Sequence, residues 1–501
     1  MKTRSSGVLM PLTSLPSKYG IGTLGRAAYE FADFLSAAGQ SYWQVLPLGP
    51  TGLGDSPYSA FSTFAGNPIL IDLELLMEDG LLTKEFVESF DWGCEASDGN
   101  PEKVNYIKVR ENRRAVLRKA CDTGFERDKA AVAKFVSDNH WVPDYALFMA
   151  VRRYFDEESW MDWPDEEIRL RRPEAMERYR QQLTEEINLQ IYMQYLFYKQ
   201  WSALREYIRE KQIRMIGDLP IYVALDSADA WCEPQFFQLD EKHVPKSVAG
   251  VPPDYFSADG QLWGNPLYDW VAMRADGYGW WIRRVEGASK LFDVIRIDHF
   301  RAFASYWAVP YGAETAKTGE WRPGPGMDLL GVLSNWFYQT EFIAEDLGIL
   351  TPDVDQLRED SGFPGMNILE FAFTKNADSK YLPHRCIPNS IVYTGTHDND
   401  TVLGWIRDPE VPEEDKQVAR DYLGFTADED APLAFIRGGM ASPANLFVAQ
   451  MQDWLGLPTD ARMNIPGKAL GNWKWRMLPG AASDELAETM YNYTKMFGRL
   501  P

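Results

Sequence analysis

Short apolar runs bounded by turn residues recur along this chain, separated by stretches with helical spacing. The runs at 6–12, 41–48, 213–223, 294–300, 341–345, 366–373, 391–396 and 446–451 are rich in aliphatic, β-branched or aromatic residues. Each is too short for a buried helix and reads as a strand. Helical patterns cover 24–38, where Gly39 stops the helix, and 414–422, 432–440 and 484–497. Thr351-Pro352 starts a further helix. Pro173 opens a long one, whose stripe of Ile187, Ile191, Tyr195 and Tyr198 repeats at intervals of four, four and three. Strand, helix and strand in succession make a parallel βαβ unit. Eight such strands predict an α/β fold, a (β/α)8 TIM barrel spanning 1–501 as one domain. Two intervals exceed a single crossover and read as inserted subdomains. The first, 57–170, is mixed, charged and Trp-bearing; the second, 224–290, is poor in helix signals and rich in Pro, Gly and aromatics. A long irregular stretch is usually functional or disordered, and the aromatic content of 250–268 argues against disorder.

Four of the predicted strands run into an acid at their C-terminal end: Asp218, Asp298, Glu345 with Asp346 behind it, and Asp398 with Asp400 behind it. Alternate strand residues share a face, so Val294, Arg296 and Asp298 point one way and Ile295, Ile297 and His299 the other. An Arg and an Asp on one face of an apolar strand are costly to bury alone. Either they plug the strand end as an ion pair, or Arg296 holds Asp298 ionised and aimed. Recurrence on four strands decides for the second, because parallel barrels gather catalytic residues at the C-terminal ends of their strands. Clustered carboxylates suit acid/base work or glycosyl transfer, with one acid protonated and another ionised. Glu345, with Asp346 beside it, is then the candidate for a raised pKa. His299 and His397 adjoin these acids; hydrogen-bonding to substrate or rim packing is preferred over metal ligation, as no zinc spacing, P-loop or Ser-His-Asp order is present.

Composition narrows the partners. With 51 basic against 73 acidic residues, the net charge of −22 repels phosphate backbones and anionic lipid, which argues against nucleic acid and membrane partners. A neutral or cationic substrate fits. The 18 Trp and 24 Tyr serve the core, but flat faces with polar edges also suit sugar rings. Cys94, Cys121, Cys232 and Cys386 are widely spaced and read as free thiols in a reducing compartment. No apolar window reaches membrane-spanning length and no signal peptide is evident, so a cytoplasmic location is expected.

Several motifs together resemble one family. They are Arg296-Ile-Asp298-His-Phe-Arg301, Ala344-Glu345-Asp346-Leu-Gly348, Thr394-Gly-Thr-His397-Asp398-Asn-Asp400, and Gly217-Asp218-Leu-Pro220-Ile-Tyr222 with Asp226-Ser-Ala-Asp229-Ala-Trp231. Ser56-Pro-Tyr58, Trp263-Gly-Asn-Pro266-Leu-Tyr268, Asn464-Ile-Pro-Gly467 and Gly471-Asn-Trp-Lys-Trp-Arg476 extend the set over nearly the whole chain. This sequence resembles 4-α-glucanotransferases of the amylomaltase or disproportionating-enzyme type (glycoside hydrolase family 77), relatives of the α-amylases. The resemblance implies transfer of an α-1,4-glucan segment from a maltooligosaccharide or starch donor to an acceptor sugar. It implies no metal, no organic cofactor and no obligate protein partner. It implies Asp298 as nucleophile, Glu345 as general acid and base, and Asp398 as the third carboxylate, with His397 beside it. Arg296 and Asp218 would support them, Tyr58 would stack on the donor ring, and Trp263 would close over the acceptor. The same acids would serve an α-1,4-glucan hydrolase; the aromatic loop 255–268, which would exclude water, favours transfer. A non-catalytic sugar-binding protein would lack at least one of these acids, and none is missing.

Overall fold

A computed structural model describes residues 3–501 except 53, 95–99, 254–257 and 349. Eight strands, β1 (Ser5–Leu9), β2 (Tyr42–Gln44), β3 (Arg214–Pro220), β4 (Val294–Asp298), β5 (Glu341–Ala344), β6 (Gly365–Ile368), β7 (Ser390–Tyr393) and β8 (Leu446–Gln450), form one parallel sheet. Its order runs β6-β7-β8-β1-β2-β3-β4-β5. The remaining seam, β5 to β6, is bridged by Ala344 N donating to Pro364 O at 3.0 Å and by Met366 N donating to Asp346 Oδ1 at 2.7 Å. The sheet is thus nearly closed into a barrel, as the eight apolar runs predict. Each strand is shorter than its predicted run; five lie within it, and those starting at Ser5, Gly365 and Ser390 begin one residue earlier.

The strands are apolar throughout because both faces are covered. Val294 packs in one buried cluster with Ile343 and Met366, while Ile295 and Ile297 pack in another with Phe300, Leu330 and Leu333. Gly217 on β3 is required by a close approach: a Cβ there would lie 2.0 Å from the Phe292 ring. The two chain ends meet across β1 and β8, where Ser5 pairs with Leu446. The buried Arg499 guanidinium clamps this junction, donating to Ser5 O at 2.8 Å, Met440 O at 2.9 Å and Ala444 O at 3.0 Å.

Several sequence expectations are corrected. The helix opened by Pro173 is two helices, Pro173–Gln182 and Thr184–Glu210. On the second, the predicted stripe is only half-buried; the fully buried face is Leu189, Tyr192, Leu196, Phe197, Trp201 and Leu204, since barrel and first excursion press on opposite flanks. Its buried amides act as clamps on the segment that follows Tyr58. Gln194 bonds Gly66 N and O at 2.8 and 2.9 Å, and Gln200 bonds Asp72 N and O at 2.7 and 3.0 Å. The stretch 224–290 runs into the 13-residue helix Gly279–Leu291, which leads into β4. Two of its other segments, Ser247–Val251 and Gln261–Pro266, join Ser305–Pro310 and Glu320–Pro323 in an antiparallel four-stranded sheet. Of the predicted aromatic loop, Tyr255 and Phe256 lie outside the described residues.

The turn into β4 is pinned by Asp293, which accepts from Met215 N at 2.9 Å, Arg209 at 2.7 Å and Arg205 at 3.1 Å. Burial opposes its charge, but these donors outweigh burial and hold its carboxyl below the usual range. Asp293→Ala, which strands the buried Arg205, is expected to cost about 2–4 kcal/mol in urea unfolding at pH 7. A depressed folded pKa contributes stability above the unfolded value, near 3.9, and loses it as pH falls through the folded value. The gap between wild type and variant therefore narrows in strong acid; an equal gap at pH 7 and in strong acid refutes this account.

Candidate active site

Register builds the site. On adjacent strands, Arg296 of β4 stands beside Asp218 of β3, and Ile297 beside Ala344 of β5, so Asp298 and Glu345 emerge together at the rim. Arg296 and Asp218 are each 3% exposed. Arg296 Nη1 donates to both Asp218 oxygens at 2.7 and 2.6 Å, and to Asp298 Oδ1 at 3.0 Å. Burial works against its charge, yet the Asp218 and Asp298 charges more than compensate and hold the guanidinium firmly protonated. The Tyr58 hydroxyl donates to Asp218 Oδ2 at 2.6 Å and completes that carboxylate.

Glu345 is held differently. Among the described residues it accepts backbone donors alone, His299 N at 2.7 Å on Oε2 and Leu347 N at 2.8 Å on Oε1. The first bond depends on a left-handed residue: His299 (φ 54°) ends the strand and turns its N–H to the neighbouring acid. His299 is therefore not on the alternate face of β4, as strict alternation predicts. A histidine tolerates this region better than a β-branched residue, and such conformations gather at functional sites. Burial pushes Glu345 up to about 7, with the Asp298 charge adding to the rise and Arg296 and the two N–H groups opposing it. Burial also lifts Asp298 to about 7, against Arg296 and with Asp218 and Asp398. Two such neighbours share one proton in this range. Among the described residues Asp298 alone of the two has a guanidinium contact, which favours the charge there and the proton on Glu345.

The third carboxylate, Asp398, is half-exposed at 47% of its side chain. Its Oδ1 accepts from Asn464 Nδ2 at 2.6 Å and lies 3.3 Å from His397 Nε2, while Arg462 Nη2 donates to its backbone oxygen at 2.6 Å. His397 Nδ1 is 3.3 Å from the Tyr58 hydroxyl, and the two rings stack at 4.9 Å and 25°. Tyr58 thus lies on His397. Trp473 packs against both rings. Trp263, 39% exposed, packs edge-on to the His299 ring at 4.7 Å and 78°. Asp298, Glu345, Asp398, Tyr58, Asp218, Arg296 and His397 form one connected rim, and Trp263 joins it through His299.

Asn464, Arg462 and Trp473 hold the Asp398 end without having been singled out as site residues. Asn464 and Trp473 fall inside quoted motifs, but their contacts span 66 residues or more and leave no local spacing to detect. The electrostatics yield a direct test. In Asp298→Asn, the Glu345 carboxyl loses a negative neighbour, so carboxyl NMR should show it titrating lower than in wild type; an unchanged or higher value contradicts the shared-proton account.

The chain is similar to known proteins over its full length. Residues 10–481 match the family described as 4-alpha-glucanotransferase. The 4-alpha-glucanotransferase of Clostridium butyricum is 45% identical over 98% of this chain and 100% of that protein. The chloroplastic/amyloplastic 4-alpha-glucanotransferase of Solanum tuberosum is 42% identical over 99% and 87%. The amylomaltase of Streptococcus agalactiae, solved in complex with acarbose, superposes with a TM-score of 0.95 at 40% identity, covering 99% of this chain and 100% of that one. Barrel, rim acids and full-length similarity together place this chain in the 4-alpha-glucanotransferase family, glycoside hydrolase family 77.

Proposed function

We propose that this 4-alpha-glucanotransferase transfers α-1,4-glucan by a retaining double displacement centred on Asp298 and Glu345. The observation that carries the reading is the unequal support of the two acids: a guanidinium on Asp298, backbone N–H groups alone on Glu345. Asp298 attacks the anomeric carbon of the donor as the bond to the leaving O4 breaks, and Glu345 delivers its proton to that oxygen. A β-glucosyl ester of Asp298 results. The 4-OH of an acceptor then gives its proton to Glu345 and attacks the same carbon, expelling the Asp298 carboxylate and restoring the α configuration. Every proton and electron pair is supplied by the two acids and the sugars, so the scheme calls for no cofactor. Asp398 and His397 grip hydroxyls of the donor ring, aligned by Asn464 and Tyr58.

Donor and acceptor glucans are the proposed partners. Uncharged sugars suit a chain of net charge −22, and no protein partner is required. A cytoplasmic setting is supported by four free cysteines; in addition, no described helix is long and apolar enough to cross a membrane. The segments 57–170 and 224–290 are proposed as subdomains that supply Tyr58 and Trp263 to the rim.

The roles separate in kinetics. Asp298→Asn, Glu345→Gln and Asp398→Asn should remain folded and each lose at least about a thousandfold in transfer from maltotriose. With an α-glucosyl fluoride, whose leaving group needs no proton, Glu345→Gln should form the ester far faster than Asp298→Asn. Equal loss in both would erase the distinction between acid and nucleophile.

Transfer and hydrolysis diverge at the second step, where acceptor sugar and water compete for the ester. Trp263 offers a partly exposed flat face beside His299, placed to bind the acceptor ring and exclude water. Wild type on maltotriose should release glucose and a ladder of longer glucans with almost no net gain in reducing ends. Trp263→Ala should raise the hydrolytic share with a smaller effect on ester formation. A variant with the wild-type ratio of transfer to hydrolysis would remove Trp263 from the acceptor side.

A further inference from the structure

Three acids without a part in this chemistry lie buried under the loop that carries His397 and Asp398: Glu370 just past β6, Asp400 in the loop, and Asp453 past β8. Two are fully engaged. Asp453 accepts from Thr394 Oγ1 at 2.6 Å and Val402 N at 2.8 Å, and Asp400 from Thr401 N at 2.7 Å and Thr459 Oγ1 at 2.9 Å. Glu370 differs. Its Oε1 is buried among the described residues without a hydrogen-bond partner, and it lies 2.6 Å from where a Cβ on Gly395 would stand. A Cβ there would also lie 2.8 Å from Gln450 Nε2 and 2.9 Å from Asn399 Cβ, so the glycine permits this close packing of the loop. Asn399 accepts through Oδ1 from Thr396 N and Oγ1 at 2.9 Å each. Glu370 and Asn399 thus both pack against the backbone at Gly395, two residues before His397.

An ionised group here would be poorly compensated. Asp453 and Asp400 face it with the same charge. The nearby cation, Arg462, is committed elsewhere, with Nε on Asn464 O at 2.8 Å and Nη2 on Asp398 O at 2.6 Å. Burial first, then Asp453 and Asp400, push the Glu370 carboxyl well above its ordinary range, against Arg462 and Asn399. Unpaired buried charge is disfavoured strongly enough that the group takes up a proton instead.

From this geometry we propose that Glu370 is a positioning residue that acts as a neutral carboxylic acid, seating the loop 394–400 so that His397 and Asp398 meet the donor sugar. It rests on the reading of Asp398 as a donor contact. A glutamine has the same shape without the charge, whereas an alanine leaves a void under Gly395.

The test compares Glu370→Gln and Glu370→Ala with wild type, using Asp398→Asn as a control on the site itself. Glu370→Gln is expected to keep most of kcat/KM on maltotriose, and Glu370→Ala to lose about tenfold or more through misplacement of the loop. With an α-glucosyl fluoride, which needs no proton from Glu345, wild type should lose kcat/KM in alkali as Glu370 ionises, while Glu370→Gln stays flatter. This readout stands even where the Ala variant does not fold. Equal loss in the Gln and Ala variants, or the same alkaline limb in wild type and Glu370→Gln, overturns the inference. A fully active Asp398→Asn removes instead the site reading beneath it.

Discussion

One buried guanidinium organises the catalytic end of this barrel. Arg296 sits where three chain segments far apart in sequence converge, and it satisfies Asp218, Asp298 and, through Asp218, Tyr58. Placing a cation there is unfavourable without its carboxylates, and each carboxylate is unfavourable without it. The geometry is therefore over-determined: the Arg cannot turn away without leaving the buried Asp218 and the partly exposed Asp298 without their cation. Arginine is suited to the task because its planar fork holds fixed directions and keeps its proton. From this single fixed charge follow an ionised Asp298, an oriented Tyr58 and, through the Tyr58 ring, the stacked His397.

The rim divides its acids by what surrounds them rather than by residue type. Asp298 has a cation, Glu345 has backbone N–H groups, Asp398 has an amide and solvent, and Glu370 has like-charged neighbours. Four carboxyl groups within a few strands can thus hold different protonation states at one pH, the condition for acid and nucleophile to coexist.

The sequence exposes much of this because both faces of a barrel strand are buried: eight apolar runs are conspicuous, and an acid at the end of one stands out. Features that depend on distant contacts stay hidden. The antiparallel sheet is one; its strand Gln261–Pro266 carries Gly and Pro and leaves Leu262 and Trp263 exposed, so it lacks the apolar signature of a strand. The left-handed turn at His299 is another, since its reason is a carboxylate 46 residues away. The long helix misleads for a related cause, because its buried arc is set by partners on two flanks rather than by its own periodicity. The three principal acids were legible because their position at strand ends is a local fact; Asn464 and Arg462 were not, because nothing near them indicates Asp398.

The junction of β1 with β8 bears on how the enzyme is made. Ser5 and Leu446 are neighbours in the sheet but 441 positions apart in the chain (446 minus 5). At a synthesis rate of 5–20 residues per second, β1 waits roughly 20–90 seconds for its second partner. Through that interval its unpaired backbone groups are an open sheet edge, the kind of surface that recruits other strands. Nor can the rim form early, since Tyr58 is made near the start while Asp398 and Asn464 come near the end. Until Asp398 and Asn464 have been made, one side of the rim is missing, however early the rest of the barrel pairs.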